Sequence, residues 1–312
     1  MENIEQPRSS ADYLGGNIGS VLSNVVDWID RRQGGAGSLQ LTGISTGFKD
    51  LDRMTLGLQP GELIVIAGRP GSGRYALALQ LTAYVAGHLR QPVIFHSLTN
   101  ETSEFGLRLL SVVAGLDSYR MRAGELDETD WEKISSALSI LHEAPLCIEE
   151  NRAGDLDRCL ERTEQFLNCF NDNRGLVIID DFHVFSFQRN NSSLDDQRQF
   201  ALQKLRNLSK TLNVPLVILS QLDPRVDRRP DRLPFLSDLP RSGNIEAYAD
   251  TVLLLNHGTF SILNGSVEAE PRELIGITQA KSRFDFGGTC YIALDSGGSP
   301  MSRYWGIESF IA

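Results

Sequence analysis

From Leu41 onward, short apolar runs alternate with stretches whose apolar residues recur at helical spacing. Leu63 to Ala67, Pro92 to Leu98, Leu146 to Glu149, Leu176 to Ile179 and Pro215 to Leu219 are near-continuous apolar runs, which predicts strands buried on both faces. Between them, Ala76 to Ala86, Glu104 to Ala114 and Trp131 to Leu141 have helical patterning, the last preceded by an Asp127-x-x-Asp130 cap. Leu156, Leu160, Phe166, Leu167 and Phe170 mark a further helix, and Leu202, Leu205 and Leu208 another. Val252 to Leu255, Leu274 to Thr278 and Thr289 to Leu294 read as late strands without long helices between them. The pattern predicts an α/β fold, a doubly wound and mostly parallel sheet with an antiparallel extension.

Ahead of this domain, residues 1–17 are polar and unpatterned, a flexible tail. Residues 18–40 hold a helix and a Gly-rich linker: Ile18, Val21, Leu22, Val25, Val26 and Ile29 share one helical face, and Gly34 to Gly37 break the chain. Such a helix cannot bury its own stripe. It either packs back on its own domain, residues 41–312, or docks on a neighbouring subunit.

Composition narrows the function. The 312 residues suit one large α/β domain or a smaller one with appendages, and 41% hydrophobic residues can fill a substantial core. No apolar run is long enough to span a bilayer and no signal-peptide pattern is present, so a membrane role is not expected. Cys147, Cys159, Cys169 and Cys290 are scattered without a C-x-x-C pair, which fits a reducing cytoplasm and indicates neither zinc nor a disulfide framework. A net charge of −10 excludes a whole-surface nucleic-acid binder but leaves room for a local basic channel.

The stretch from Glu62 to Leu77 carries the clearest chemistry. An apolar strand, a Gly-rich turn and a helix N-terminus in that order present inward-pointing N–H groups and a helix dipole to an anion. Gly68-x4-Gly73 has P-loop spacing, but the expected Lys and Ser or Thr are replaced by Arg74 and Tyr75. Taken alone, such a turn is equally well a tight connection. Asp180 closes an apolar strand where an open sheet places its ligand crevice, so it is a candidate Mg²⁺ carboxylate or a turn cap. Strand alternation points Asp181 the other way. Gln221, after another apolar strand, could sense a terminal phosphate. Arg225, Arg228, Arg229, Arg232 and Arg241 form a basic, Pro-rich stretch suited to phosphate backbones, diluted by Asp223, Asp227 and Asp231. Phe235 is the lone aromatic there, which favours backbone contact over base stacking. Lys281 and Arg283 end a late strand on one side, facing either solvent or a phosphate across a subunit boundary.

Together these pieces resemble the C-terminal motor domain of the DnaB-family replicative helicases, a RecA-like P-loop NTPase core preceded by a linker helix. The resemblance runs from about Ser45 to the C-terminus. It rests on Ser45-Thr-Gly-Phe-Lys-Asp-Leu-Asp52, Gly57-Leu-Gln-Pro-Gly61, Arg69-Pro70, Gly124-x-Leu-Asp-x-x-Asp-Trp131, Leu219-Ser-Gln-Leu222, Ser237-Asp-Leu239, Ser242-Gly-x-Ile-Glu246 with Ala249-Asp250, and Lys281-x-Arg283. The family's N-terminal helical domain has no counterpart in the sequence.

The resemblance implies ATP (or another NTP) and Mg²⁺ as cofactors, bound by Gly68, Arg69, Pro70, Gly71, Ser72, Gly73, Arg74 and Tyr75. Asp180 would be the Walker B metal carboxylate and Gln221 the phosphate sensor. Lys281 and Arg283 would be fingers inserted into the neighbour's site. Arg241, Ser242 and Gly243, with Arg228 and Arg229, would hold single-stranded DNA in the pore of a hexameric ring. The helix from Ile18 would pack on the adjacent subunit, in a homo-oligomer or in a mixed ring with an intact helicase. The setting would be a bacterial cytoplasm, or a bacterial mobile element.

Three family positions depart: Arg74 replaces the P-loop lysine, Tyr75 the Mg²⁺ hydroxyl, and Thr99, in Ser97-Leu-Thr99, the catalytic glutamate. Each loss removes a positioning or base element, commonly about a hundredfold in rate. The expectation is a DnaB-like helicase homologue of DNA replication that binds nucleotide and single-stranded DNA with impaired ATP hydrolysis. The alternatives are a catalytically inactive RecA-fold subunit that modulates an intact helicase, and a nucleotide-gated regulator outside replication.

Overall fold

The computed structural model describes residues 18–33, 40–170, 174–186, 193–240, 244–260, 263–264, 267–268, 272–283, 287–293 and 309–311. The chain divides into two units, Met1–Gln40 and Leu41–Ala312. In the first, the predicted helix forms as α1 (Ile18–Gln33). Ile18, Leu22, Val25 and Val26 on its stripe are exposed. The tail and residues 34–39 of the Gly-rich linker lie outside the described residues.

The second unit is organised by a sheet of nine strands among the described residues. Its parallel part contains β1 (Leu63–Gly68), β2 (Val93–Ser97), β3 (Leu146–Glu150), β4 (Leu176–Asp180), β5 (Leu216–Gln221) and β6 (Thr251–Phe260), ordered β6-β1-β5-β4-β2-β3. A two-stranded ribbon, β7 (Leu263–Asn264) and β8 (Val267–Glu268), stands apart from the large sheet. Antiparallel pairing of β9 (Arg272–Lys281) to β6, then β10 (Gly288–Ala293) and β11 (Ser309–Ile311), extends the sheet beyond β6. The doubly wound sheet with its antiparallel extension is as the sequence predicts.

The strands read as continuous apolar runs because both faces are covered. Side chains alternate, so Ile64, Ile66, Phe95, Ile178 and Leu219 join one core cluster with α3 (Arg74–Ala83) and α4 (Thr102–Ala114). Leu63, Val65, Ile94, Ile179 and Ile218 join the other with α7 (Leu156–Leu167) and α8 (Leu194–Leu212). The capping box before α6 (Glu128–His142) forms as expected: Asp127 accepts from Asp130 N and Asp130 from Asp127 N.

Several short helices escape the sequence pattern, and two of them have a clear anchor. α2 (Lys49–Thr55) is fixed by its buried Asp52, which accepts from Ser45 Oγ at 2.6 Å and from Thr46 N and Oγ1 at 2.8 Å each. The Ser45–Asp52 motif is therefore a structural lock. α5 (Ser118–Ala123) starts on the Asp117 carboxylate, which accepts from Tyr119 N at 2.6 Å, and stops at Gly124 with φ +72°.

Candidate nucleotide-binding site

β1 ends at Gly68 and α3 begins at Arg74, so the turn between them sits at the C-terminal edge of the parallel sheet. Gly71 (φ +80°) and Gly73 (φ +87°) occupy the left-handed region that glycine tolerates without cost. A Cβ on Gly68 would strike the Ser72 hydroxyl, and one on Gly73 the Ile275 side chain. Gly73 caps α3 without a side-chain acceptor, so the first N–H groups of a ten-residue helix face the turn uncapped by a side chain. Ser72 is 4% exposed, and its Oγ has no hydrogen-bond partner among the described residues. Beside the turn lies a cavity of about 460 Å³, lined among others by Arg69, Arg74, Arg108, Ser111, Ser118 and His257.

Two arginines brace the turn. Arg69 reaches Asp227 at 2.8 Å and donates to the Leu222 carbonyl at 2.9 Å. Arg74 Nη1 donates to the Gly68 carbonyl at 3.2 Å, and Nη2 pairs with Asp181 Oδ2 at 3.1 Å. β5 lies between β1 and β4, so this pair bridges roughly 10 Å of sheet. Asp181 thus enters the site, against the expectation from strand alternation, because β4 stops at Asp180 and the alternation stops with it.

Asp180 is 4% exposed and accepts from Thr99 Oγ1 at 3.2 Å and Asn100 Nδ2 at 3.3 Å. Burial, and then the Asp181 charge, push its carboxyl up to about 6, against the pull of Arg74, Thr99 and Arg108. Tyr75 packs against the core, with its ring edge-on to Phe95 at 6.3 Å and the Arg108 guanidinium over it at 5.3 Å. Burial, with the Asp180 charge next, raises its hydroxyl well above the ordinary tyrosine range. The family's Mg²⁺ donor set, a short helix hydroxyl beside an open carboxylate, is not reproduced. What is missing is the short hydroxyl, since that of Tyr75 sits at the end of a core-packed ring. Asp180 accepts both of its hydrogen bonds on Oδ2, which leaves Oδ1 unengaged among the described residues, and Asp181 is paired with Arg74.

Gln221 is exposed and pairs in register with Gly68, directly beside the start of the turn. Lys281 and Arg283 lie elsewhere. Lys281 Nζ donates to the carbonyls of Glu246 (2.6 Å) and Ala249 (2.7 Å), and Arg283 Nη1 is 4.0 Å from Glu62 Oε1. Glu62 precedes β1 whereas the turn follows it, so the six residues of β1 hold Arg283 roughly 20 Å from its own Gly-rich turn. Glu62 itself is buried and accepts from Thr251 Oγ1 at 2.8 Å; burial raises its carboxyl, with Thr251 and Arg283 opposing.

The basic stretch is partly engaged within the fold. Arg229 makes two 2.6 Å bonds to Asp238, one to the Leu233 carbonyl at 2.9 Å, and lies over Phe235 at 4.7 Å. Arg225 is held by Asp223. Arg228 is exposed, while Arg241, Ser242 and Gly243 lie outside the described residues. Sequence reasoning missed Asn100 and Arg108 altogether; neither belongs to a motif, and only the fold brings them to Asp180 and Tyr75.

The comparisons with known proteins agree with this geometry. Residues 43–294 match the profile of the DnaB-like helicase C terminal domain. A probable replicative DNA helicase of Trieres chinensis is 33% identical over 85% of this chain and 58% of its own length. The replicative DNA helicase DnaC of Bacillus subtilis (strain 168) is 31% identical over 94% of this chain and 62% of its own. The chain thus spans about three-fifths of the length of these relatives. A solved DnaB-like replicative helicase, described with its primase interactions, superposes with a TM-score of 0.79 at 26% identity, over 91% of this chain and 66% of that one. A solved ATPase domain gives the same TM-score of 0.79 at 27% identity, over 91% of this chain and 98% of that one. With its RecA-like sheet and a profile match across the whole nucleotide-site region, the chain belongs to the DnaB-like helicase C-terminal domain family.

Proposed function

We propose that this chain acts in DNA replication as a ring-forming, DnaB-like subunit that binds a nucleoside triphosphate and single-stranded DNA but hydrolyses the nucleotide poorly. The observation that carries the reading is the state of the three departures. Arg74 is paired with Asp181, Tyr75 is packed against Phe95, and Thr99, which cannot take a proton from water near neutral pH, donates to Asp180. The cradle of N–H groups remains while the elements that position and activate water are altered.

The substitutions Arg74→Lys, Tyr75→Thr and Thr99→Glu, made together, test this. They should raise steady-state ATP turnover by about a hundredfold or more, an order set by the usual contribution of one such element. No gain in a correctly folded triple variant would contradict it.

A second reading has its own support: the chain modulates an intact helicase in a mixed ring. Its support is that Lys281 and Arg283 remain as the family has them and that Arg283 lies roughly 20 Å from its own turn, too far to act on its own nucleotide. A subunit of that kind completes another site while hydrolysing little itself. Arg228 and Arg232 are exposed and are the readiest arginines of this stretch for DNA backbone contact, since Arg225 and Arg229 are engaged by Asp223 and Asp238.

A further inference from the structure

Loss of the Mg²⁺ donor set raises the question of which cation faces a phosphate here. The Gly-rich turn is open, the α3 N-terminus lacks a side-chain cap, and Ser72 Oγ is buried without a partner where a Cβ on Gly68 would intrude. Three guanidinium groups line the adjoining cavity. Each of the three pairs with a carboxylate, Arg69 with Asp227 and Arg108 with Glu104 at 2.6 Å, and Arg74 with Asp181 at 3.1 Å. The third, Arg74, leaves the first turn of α3 and spans to β4, between the Gly68 carbonyl and Asp181. In the family pattern a lysine and a hydrated metal act here together.

From this arrangement we infer that the site binds nucleoside di- and triphosphates without a divalent cation, the Arg74 guanidinium linking the Asp181 carboxylate to the phosphate. The inference rests on the nucleotide-site reading above. A guanidinium is always charged, and its planar fork offers five N–H donors matched to paired oxygens of carboxylate and phosphate. Two of those donors are placed, on Gly68 and Asp181, in a group whose side chain is 19% exposed. Tyr75 reinforces the exchange. Its hydroxyl is carried at the end of a ring packed edge-on to Phe95 and under the Arg108 guanidinium, so no short hydroxyl stands at this position of α3. A Mg²⁺ entering with the nucleotide would meet one carboxylate whose Oδ2 already accepts from Thr99 and Asn100, with only Oδ1 unengaged, and a second one paired to a cation. Charge neutralisation therefore comes from the chain.

Titration of the full chain with N-methylanthraniloyl-ADP and the matching ATP analogue, in excess Mg²⁺ and in excess EDTA, tests this directly. The expected dissociation constants agree within about twofold between the two conditions. A loss of tenfold or more in EDTA, about 1.4 kcal/mol, would overturn metal independence while leaving the nucleotide site in place. No binding of either analogue under either condition would overturn the nucleotide-site reading itself, and this inference with it. Arg74→Ala should weaken binding in EDTA by about tenfold or more, as loss of a charge-assisted contact does; unchanged affinity would remove Arg74 from the role. Tyr75→Thr should make Mg²⁺ tighten binding. The wild-type comparison needs no variant, so a variant that misfolds leaves the test intact.

Discussion

At the scale of single residues, the three altered positions share one feature: each replacement is engaged in the fold. Arg74 keeps the lysine's charge, but the guanidinium, longer and planar, finds the Asp181 carboxylate and the Gly68 carbonyl. Tyr75 keeps a hydroxyl, but carries it at the end of a ring packed edge-on to Phe95. A separate buried group gives a pH signature. His96 on β2 is fully enclosed and bonded to Thr163 Oγ1 at 2.8 Å; burial lowers it from 6.5 to about 4, with Glu149 opposing and Arg162 assisting. Between those values the unfolded chain holds a proton that the folded chain refuses, so stability falls as pH drops through that window. From pH 7 to pH 5 the cost is about 2 kcal/mol. Melting curves of the wild type and His96→Gln at the two pH values should show the variant losing less on acidification. An equal loss would mean that His96 is protonated in the folded protein.

At the scale of elements, the strands were legible because a parallel sheet covered on both faces imposes unbroken apolar runs, and β1, β2, β4 and β5 fall within a residue or two of the predicted spans. α2 and α5 were not legible. Seven and six residues are too few to show helical periodicity, and each is fixed by a carboxylate, Asp52 or Asp117, whose role depends on its three-dimensional partners. The same limit hid the Arg74–Asp181 pair, whose members are 107 positions apart. It also explains Arg229: the sequence shows a cation in a basic loop, whereas the fold pairs it with the buried Asp238. Arg228→Ala should therefore reduce affinity for single-stranded DNA and flatten its salt dependence by about one counterion, read from binding isotherms across salt. Arg229→Ala should instead lower the melting temperature. If both variants lose only DNA affinity, the structural role assigned to Arg229 is wrong. For α1, burial of four half-exposed apolar side chains on a neighbour would contribute on the order of 1 kcal/mol each. If the chain forms the proposed ring, removing residues 1–36 should convert it to monomers in light scattering; an unchanged mass would show that the stripe is covered within its own chain.

At the scale of the whole molecule, the sheet separates two kinds of machinery. The Gly-rich turn, Asp180 and Gln221 gather at the C-terminal edge of the parallel strands, while Lys281 and Arg283 lie toward the opposite edge. The three departures, Arg74, Tyr75 and Thr99, all fall among the groups that would act on the chain's own nucleotide, where Asp180 and Gln221 remain, and none falls on Lys281 or Arg283, which would act on a neighbour's. Mixing with an intact relative should accordingly give ATPase activity that Arg283→Ala in this chain reduces; insensitivity to that change would exclude service in trans. The central claim, a nucleotide-binding motor domain with its own hydrolysis disabled, is tested most directly by steady-state ATP turnover of the purified, unmodified chain with and without single-stranded DNA. The account predicts negligible turnover in both conditions. Robust, DNA-stimulated turnover would contradict it, and would mean that Arg74 and another carboxylate replace the missing lysine and glutamate.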